Sequence, residues 1–346
     1  MLKKFNNHEC VNEAHYKTSS VKDSVIVMKT KSIIRYLAGL LIVGGTIYFF
    51  VREFYKNFDS ISQFSLNINW FYLFTAQLLL VMVGLFGTYL WQLLLKIITS
   101  QEVSFKESIA VVNTSQLTKY LPGKFWSFAV QMMLLSKKGI SKTVVVFVNS
   151  FMIVTSLFVS ALLGLLYFVL CKNSLPQYWL LLLIFLIIYF GFIFLNQPFF
   201  KLLVKIVEKV FKITITYTPI DVGSILKYQL FYLLANAVFG MTGYLLALGL
   251  GFPLSLQHLF AVIAFLIIAD AVGFIVLVAP GGLGVREGIM FALLVSLGDK
   301  NLALLLPLGT RIMSMISDLL LGGVGFLFLK KYYTGKENRK IDERSL

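Results

Sequence analysis

The chain is poor in charge, and poorer still in negative charge. Only 14% of its 346 residues are charged, and 16 acidic side chains stand against 31 basic ones. A soluble domain carries about 25% charged residues. Composition therefore excludes a water-soluble enzyme, a nucleic-acid-binding module and a disordered chain. Cysteine is scarce. Cys10 lies in a polar tail and Cys171 at the end of an apolar run, which gives neither a disulfide framework nor a CxxC pair. The three histidines, His8, His15 and His258, lack metal-ligand spacing, so no metal and no cofactor are expected. HExxH and GxSxG are absent, and no histidine sits beside a candidate nucleophile. No catalytic residue is assigned. A small-residue cleavage pattern is missing after the long basic start that carries Lys3, Lys4, Lys17, Lys22, Lys29 and Lys31. The first apolar run is therefore read as a retained span.

What the chain does have is apolar length. Apolar residues make up 58% of it, and the mean hydropathy is +0.83. They are clumped into runs of about twenty, the length that crosses a bilayer core. Seven strong spans are read at about 32–51, 70–95, 144–171, 177–195, 227–250, 257–278 and 301–329. Rings mark several ends, among them Trp70, Tyr72, Trp179 and Tyr332, as headgroup-level anchors do. The fold class is all-α, a polytopic membrane bundle.

The net charge of +15 sits between these runs, so it speaks for topology and anionic lipid rather than nucleic acid. The N-terminal tail, 96–142, 201–227 and the segment after Lys330 are basic; the alternating connectors 52–69, 172–176 and 251–256 are not. The positive-inside rule then places the basic segments and both termini in the cytoplasm. Seven crossings from an inside start would end outside, so an eighth is required. The segment at about 283–298 is the best candidate: short and charged, it fits only among neighbouring helices. The domain reading is a basic tail over 1–31, one membrane domain over 32–329 and a basic tail over 330–346. Pro122-Gly123 splits 104–137 into two short helices. A re-entrant hairpin is the favoured reading; helices lying on the inner leaflet are the alternative.

Four features are candidates for chemistry. The first is Ala279-Pro-Gly-Gly-Leu-Gly-Val-Arg-Glu-Gly288, where Pro280, Gly281, Gly282 and Gly284 lead into a short helix. A glycine-rich lead into a helix N-terminus offers N–H groups to an anion, and Arg286 adds a bidentate phosphate donor. The alternative is a tight turn with Arg286 and Glu287 paired to neighbours. The second is charge inside spans: Asp270, Arg311 and Asp318 each need a partner or a wet cavity. Arg311, Ser314 and Asp318 share a helix face, and Asp270, Arg286, Glu287, Arg311 and Asp318 form a plausible network around a headgroup cavity, or else structural ion pairs. The third is Gln229, Tyr232, Asn236, Gly240 and Gly243 on one span, read mainly as packing. The fourth is the break Lys119-Tyr-Leu-Pro-Gly-Lys-Phe-Trp126, with Lys119, Lys124 and Trp126 around Pro122 and Gly123 as lipid contacts or interface anchors. Two Pro-Gly breaks at corresponding places in two halves point to a transporter binding site.

These motifs, with Leu134-Leu-Ser-Lys-Lys-Gly-Ile-Ser141, make residues 30–330 resemble the transmembrane region of the lysylphosphatidylglycerol synthase family of flippase-like proteins. The resemblance implies a multi-pass bacterial inner-membrane protein that handles lipids. It implies membrane lipids as partners: an anionic or aminoacylated phospholipid, or a lipid-linked sugar. Larger members carry a cytosolic aminoacyltransferase domain and resist cationic peptides; that domain is absent from this sequence. Short members resemble companions of glycosyltransferases. Where such proteins often show an arginine and an acidic residue, this chain has Gln131 and Asn149. The expected function is lipid translocation between leaflets, with Arg286 and Arg311 on phosphate. The alternatives are a lipid-modifying transferase of the phosphatidylglycerol lysyltransferase kind and a membrane scaffold for a glycosyltransferase.

Overall fold

The computed structural model describes residues 67–99, 102–120, 126–171, 176–194, 221–276 and 282–342, with isolated positions around 48–55 and 201–209. Nine helices are described: α1 Trp70–Thr99, α2 Phe105–Gln116, α3 Trp126–Ser136, α4 Lys142–Cys171, α5 Pro176–Phe194, α6 Val222–Gly249, α7 Leu256–Ile275, α8 Val285–Leu294 and α9 Lys300–Asp342. Short 3-10 turns follow α2 at Leu117–Tyr120 and α8 at Val295–Leu297. Six helices are long and apolar enough to cross a membrane: α1, α4, α5, α6, α7 and the part of α9 from Lys300 to Leu329. The protein is an all-α, multi-pass membrane protein. The expected first span at about 32–51 lies outside the described residues.

Local chemistry sets the helix starts. At α2, Ser104 Oγ accepts from Glu107 N while Glu107 Oε2 accepts from Ser104 N, at 3.3 Å each. This reciprocal cap satisfies two otherwise orphaned donors. Asp221 caps α6 by accepting from Ser224 N at 2.8 Å. The tail after residue 329, read from sequence as a separate segment, continues α9 to Asp342.

Packing fixes the directions of the helices. Asn69 N donates to Gly249 O, so α1 begins where α6 ends. Gly240 has no room for a Cβ against Ile263, and Gly243 packs on Val262 and Leu266. With only the six residues 250–255 between Gly249 and Leu256, α6 and α7 lie antiparallel at close range. These are the small-residue contacts expected of the Gln229–Gly243 face. Gly84 meets Leu321 and Gln77 Nε2 donates to Ser317 Oγ at 2.7 Å, so α9 descends alongside α1. The lower ends of α1, α2, α3 and α4 gather Lys96, Lys106, Lys138 and Lys142; this is the basic end of the bundle.

Two elements stop partway. The α2 arm leaves the basic end at the Glu107–Lys138 ion pair and climbs along α9: Thr114 meets Gly325, Leu117 meets Gly322, and Tyr120 reaches Asp318. The α3 arm returns, with Gln131 bonded to Ser115. The pair therefore enters and leaves the bundle at one end. The second element is α8. It starts against Gly273, in the last turn of α7, and climbs toward the start of α9, with Met290 beside Thr310. Ten residues rise about 15 Å, half a hydrocarbon core, and α8 is covered by α7 and α9 rather than facing lipid along its whole length.

Candidate functional site

The α2 tip and the α8 N-terminus meet across α9. Gly284 precedes α8 with φ +86°, and Gly282 has φ +69° where a Cβ would lie 3.0 Å from Gly273 O. Both favour glycine: the left-handed backbone disfavours any L side chain, and at Gly282 a Cβ would crowd the Gly273 backbone. Glu287 Oε2 reaches back to accept from Gly284 N at 2.7 Å. The turn that begins α8 is thus closed by one of its own site residues. Pro280 and Gly281 lie outside the described residues.

The five charges of the sequence-read network are brought into one region, but in specific pairs. Arg286 Nη1 sits 2.8 Å from Asp270 Oδ1 and links α8 to α7. Arg311 Nε lies 3.7 Å from Glu287 Oε1 and links α9 to α8. That is ion-pair distance without hydrogen-bond contact. Asp318 pairs with neither arginine. Its Oδ2 takes Lys119 Nζ at 2.7 Å and also accepts from the Tyr120 hydroxyl. Arg311 in turn places its guanidinium 5.7 Å from the Tyr120 ring centre, within cation–π range. Charge pairs therefore run from α7 through α8 and α9 to the tip of the α2 arm. Three cations meet three carboxylates.

Arg286 also borders a cleft. It is small, about 10 Å³ with room for roughly one water molecule, and lies between Arg286, Phe239, Thr242, Thr310, Met313 and Ser314, with three leucines completing the wall. The Phe239 ring lies 5.7 Å from the Arg286 guanidinium. Thr242, Thr310 and Ser314 donate their hydroxyl protons to the carbonyls of Phe239, Pro307 and Thr310 on their own helices. The Arg286 side chain is 11% exposed, and its Nη2 is buried with no hydrogen-bond partner among the described residues. A guanidinium brings five N–H donors, and a buried unsatisfied one calls for an explanation. Asp270, across the pair, has 48% of its side chain exposed. A half-exposed carboxylate inside a span requires water or polar groups beside it.

Of the break residues, Lys119 joins the network as described. Trp126 opens α3 and is exposed. Pro122, Gly123 and Lys124 lie outside the described residues. Sequence reading placed Tyr120 in the motif without a role, and it passed over Phe239, Thr242 and Thr310. Their signals were faint: Thr242 stands between the packing glycines of α6, and Tyr120 adjoins a lysine beside a helix break. No group of three or more potential metal ligands occurs among the described residues.

Fold and site define a class: a polytopic helical membrane protein with a charged site where an arm from one end meets a short, broken helix. Residues 36–322 match the family described as the lysylphosphatidylglycerol synthase TM region, and the chain belongs to that family. No curated protein and no solved structure matches it.

Proposed function

We propose that this protein is a lipid translocase that passes a phosphate-bearing headgroup between leaflets by way of Arg286. The supporting observation is the Nη2 of Arg286, buried and without a hydrogen-bond partner among the described residues, on a side chain that borders a small cleft. An arginine with one nitrogen committed to Asp270 still has donors for a phosphate oxygen, and such charge-assisted bonds are strong. Broken elements meeting at mid-depth are the usual place for a transporter's substrate. Arg311 provides a second positive charge, while Glu287 and Asp318 keep the region neutral when it is empty.

In this reading the protein sits in a bacterial cytoplasmic membrane with both termini inside. Its cargo is an anionic or aminoacylated phospholipid or a lipid-linked sugar, and a glycosyltransferase or aminoacyltransferase is a partner. The test is a leaflet assay with purified protein in vesicles containing a fluorescent phosphatidylglycerol. Wild type equilibrates the probe between leaflets, and Arg286→Ala slows this by about tenfold or more, the loss expected for one charge-assisted contact. Absence of any protein-dependent movement overturns the proposal. Lipid extracts of deletion cells separate transport from synthesis: a modified lipid lost from the whole membrane points to a transferase, while an unchanged total with altered leaflet exposure points to transport.

A further inference from the structure

The three carboxylates of the site are not equivalent. Glu287 is buried and held twice, by Gly284 N and by the charge of Arg311. Asp318 is mostly covered and holds both Lys119 and Tyr120. Asp270 has a single partner among the described residues, Arg286, and about half of its side chain is open. It is also the carboxylate that shares its partner with the cleft.

That asymmetry has a consequence for any anion that docks on Arg286. A phosphate at Nη2 stands on the same guanidinium as Asp270, on the order of 4–6 Å away. Two like charges that close, away from bulk water, do not both stay ionised. Of the two, Asp270 is the group whose side chain is half open, at 48% exposure. Among the described residues no other cation forms an ion pair with Asp270. From α6 it faces Tyr232, whose backbone carbonyl accepts from Asn236 Nδ2 at 2.9 Å. The α4 helix carries no charged side chain beyond Lys142 at the basic end. From α8 the facing charge is Arg286 itself.

We infer that Asp270 makes the protein a proton-coupled carrier: one proton from water binds the Asp270 carboxylate as one anionic headgroup takes Arg286, and leaves when the headgroup departs and the Arg286–Asp270 pair re-forms. This inference rests on the translocase reading and adds its energy source. Charge balances at each step, since an anion and a proton arrive together at a site that is otherwise neutral. The lipid then moves with the proton, from the leaflet on the acidic side to the leaflet on the alkaline side.

The experiment uses the full chain in phosphatidylcholine vesicles with a short-chain fluorescent phosphatidylglycerol, the lumen buffered about two pH units above the outside, and protein-free vesicles as the reference. Albumin extraction reads the outer-leaflet fraction, and luminal pyranine reads proton entry. Wild type is expected to draw the probe into the inner leaflet to an excess of about threefold or more, well inside the hundredfold limit for one proton over two units, with luminal acidification beside it. Asp270→Asn, whatever its rate, should relax to the same distribution with and without the gradient. Asp270→Glu, which keeps a carboxylate, should respond to it. A wild type that moves the probe but ignores the gradient overturns the coupling and leaves the translocase reading standing. So does a gradient response that survives in Asp270→Asn. A wild type that moves no probe under any condition overturns both.

Discussion

Tyr120 and Lys119, adjacent at the tip of the α2 arm, share one oxygen of Asp318 on α9. The residues are 198 positions apart in sequence, so this carboxylate fastens the arm to the second half of the chain. The two bonds differ in strength. A hydrogen bond to a charged group contributes about 1.5–3 kcal/mol, whereas the Lys119 ammonium is a third exposed and screened by solvent to about 1 kcal/mol or less. Thermal unfolding in detergent should therefore rank Asp318→Asn as the most destabilising change, Tyr120→Phe next and Lys119→Met least. A larger loss for Lys119→Met than for Tyr120→Phe would contradict the shared-oxygen arrangement.

The same arm lies on a glycine face of α9, where the two contacts make unequal demands. A Cβ at Gly322 would fall 2.6 Å from Leu117 Cγ and Cδ1, a clash that the whole Leu117 side chain can clear only by changing rotamer. At Gly325 it would fall 3.0 Å from the backbone oxygen of Ile109 and 2.9 Å from Thr114 Oγ1, and the backbone cannot turn. Overpacking of this kind costs about 1–3 kcal/mol. Gly325→Ala is expected to loosen the arm more than Gly322→Ala. Protease cleavage in the segment between α2 and α3 measures it: faster cutting in Gly325→Ala than in Gly322→Ala is the predicted order.

The sequence made the membership of the charged network legible, because a charge inside an apolar run has to find a partner. It did not make the pairing legible. Arg311 and Asp318 lie on one helix face, which suggests joint action, yet Arg311 turns to Glu287 on α8 and Asp318 to the α2 arm. Those choices depend on how α2 and α8 stop partway through the bundle, and no local pattern encodes the depth of a stop. The five later long spans and α1 were legible from apolar length alone, with ends shifted by a few residues. The cleft was not, since its hydroxyls and ring are single residues from α6 and α9 that look like ordinary span composition until the helices are set side by side.

At the basic end, Glu107 titrates against opposing influences. Burial, the largest, pushes its carboxyl up; the Lys138 ammonium and the bonds from Ser104 outweigh it together, and the net shift is downward. A carboxyl held lower in the folded protein than in the unfolded chain contributes stability above the ordinary glutamate value near 4.3, and that contribution is lost as pH falls through the lower folded value. Thermal unfolding followed from pH ~6 down to ~3 should show a drop in wild type that is shallower in Glu107→Gln. Identical slopes in the two proteins would mean that the pair does not hold the arm.

Gln131 and Asn149 form a buried amide bridge. Asn149 Nδ2 donates to Gln131 Oε1 at 2.7 Å and to Val145 O at 2.8 Å, and Gln131 Nε2 donates to Ser115 Oγ at 3.0 Å. Gln131 is 1% exposed and Asn149 9%. The bridge ties α3 to α4 and α2 without charge, so its members are exchangeable only together. Gln131→Arg alone buries a cation against an amide, and Asn149→Asp alone buries an anion that the Gln131 carbonyl oxygen repels; an unpaired buried charge costs about 3–5 kcal/mol. The double variant restores opposite charges at bonding distance. A double-mutant cycle on thermal stability should return a favourable coupling of at least about 2 kcal/mol, within the range for residues in contact. Additive losses would show that the two side chains do not act as one contact and that the α3 arm is held by its apolar residues, such as Leu134 and Leu135, instead.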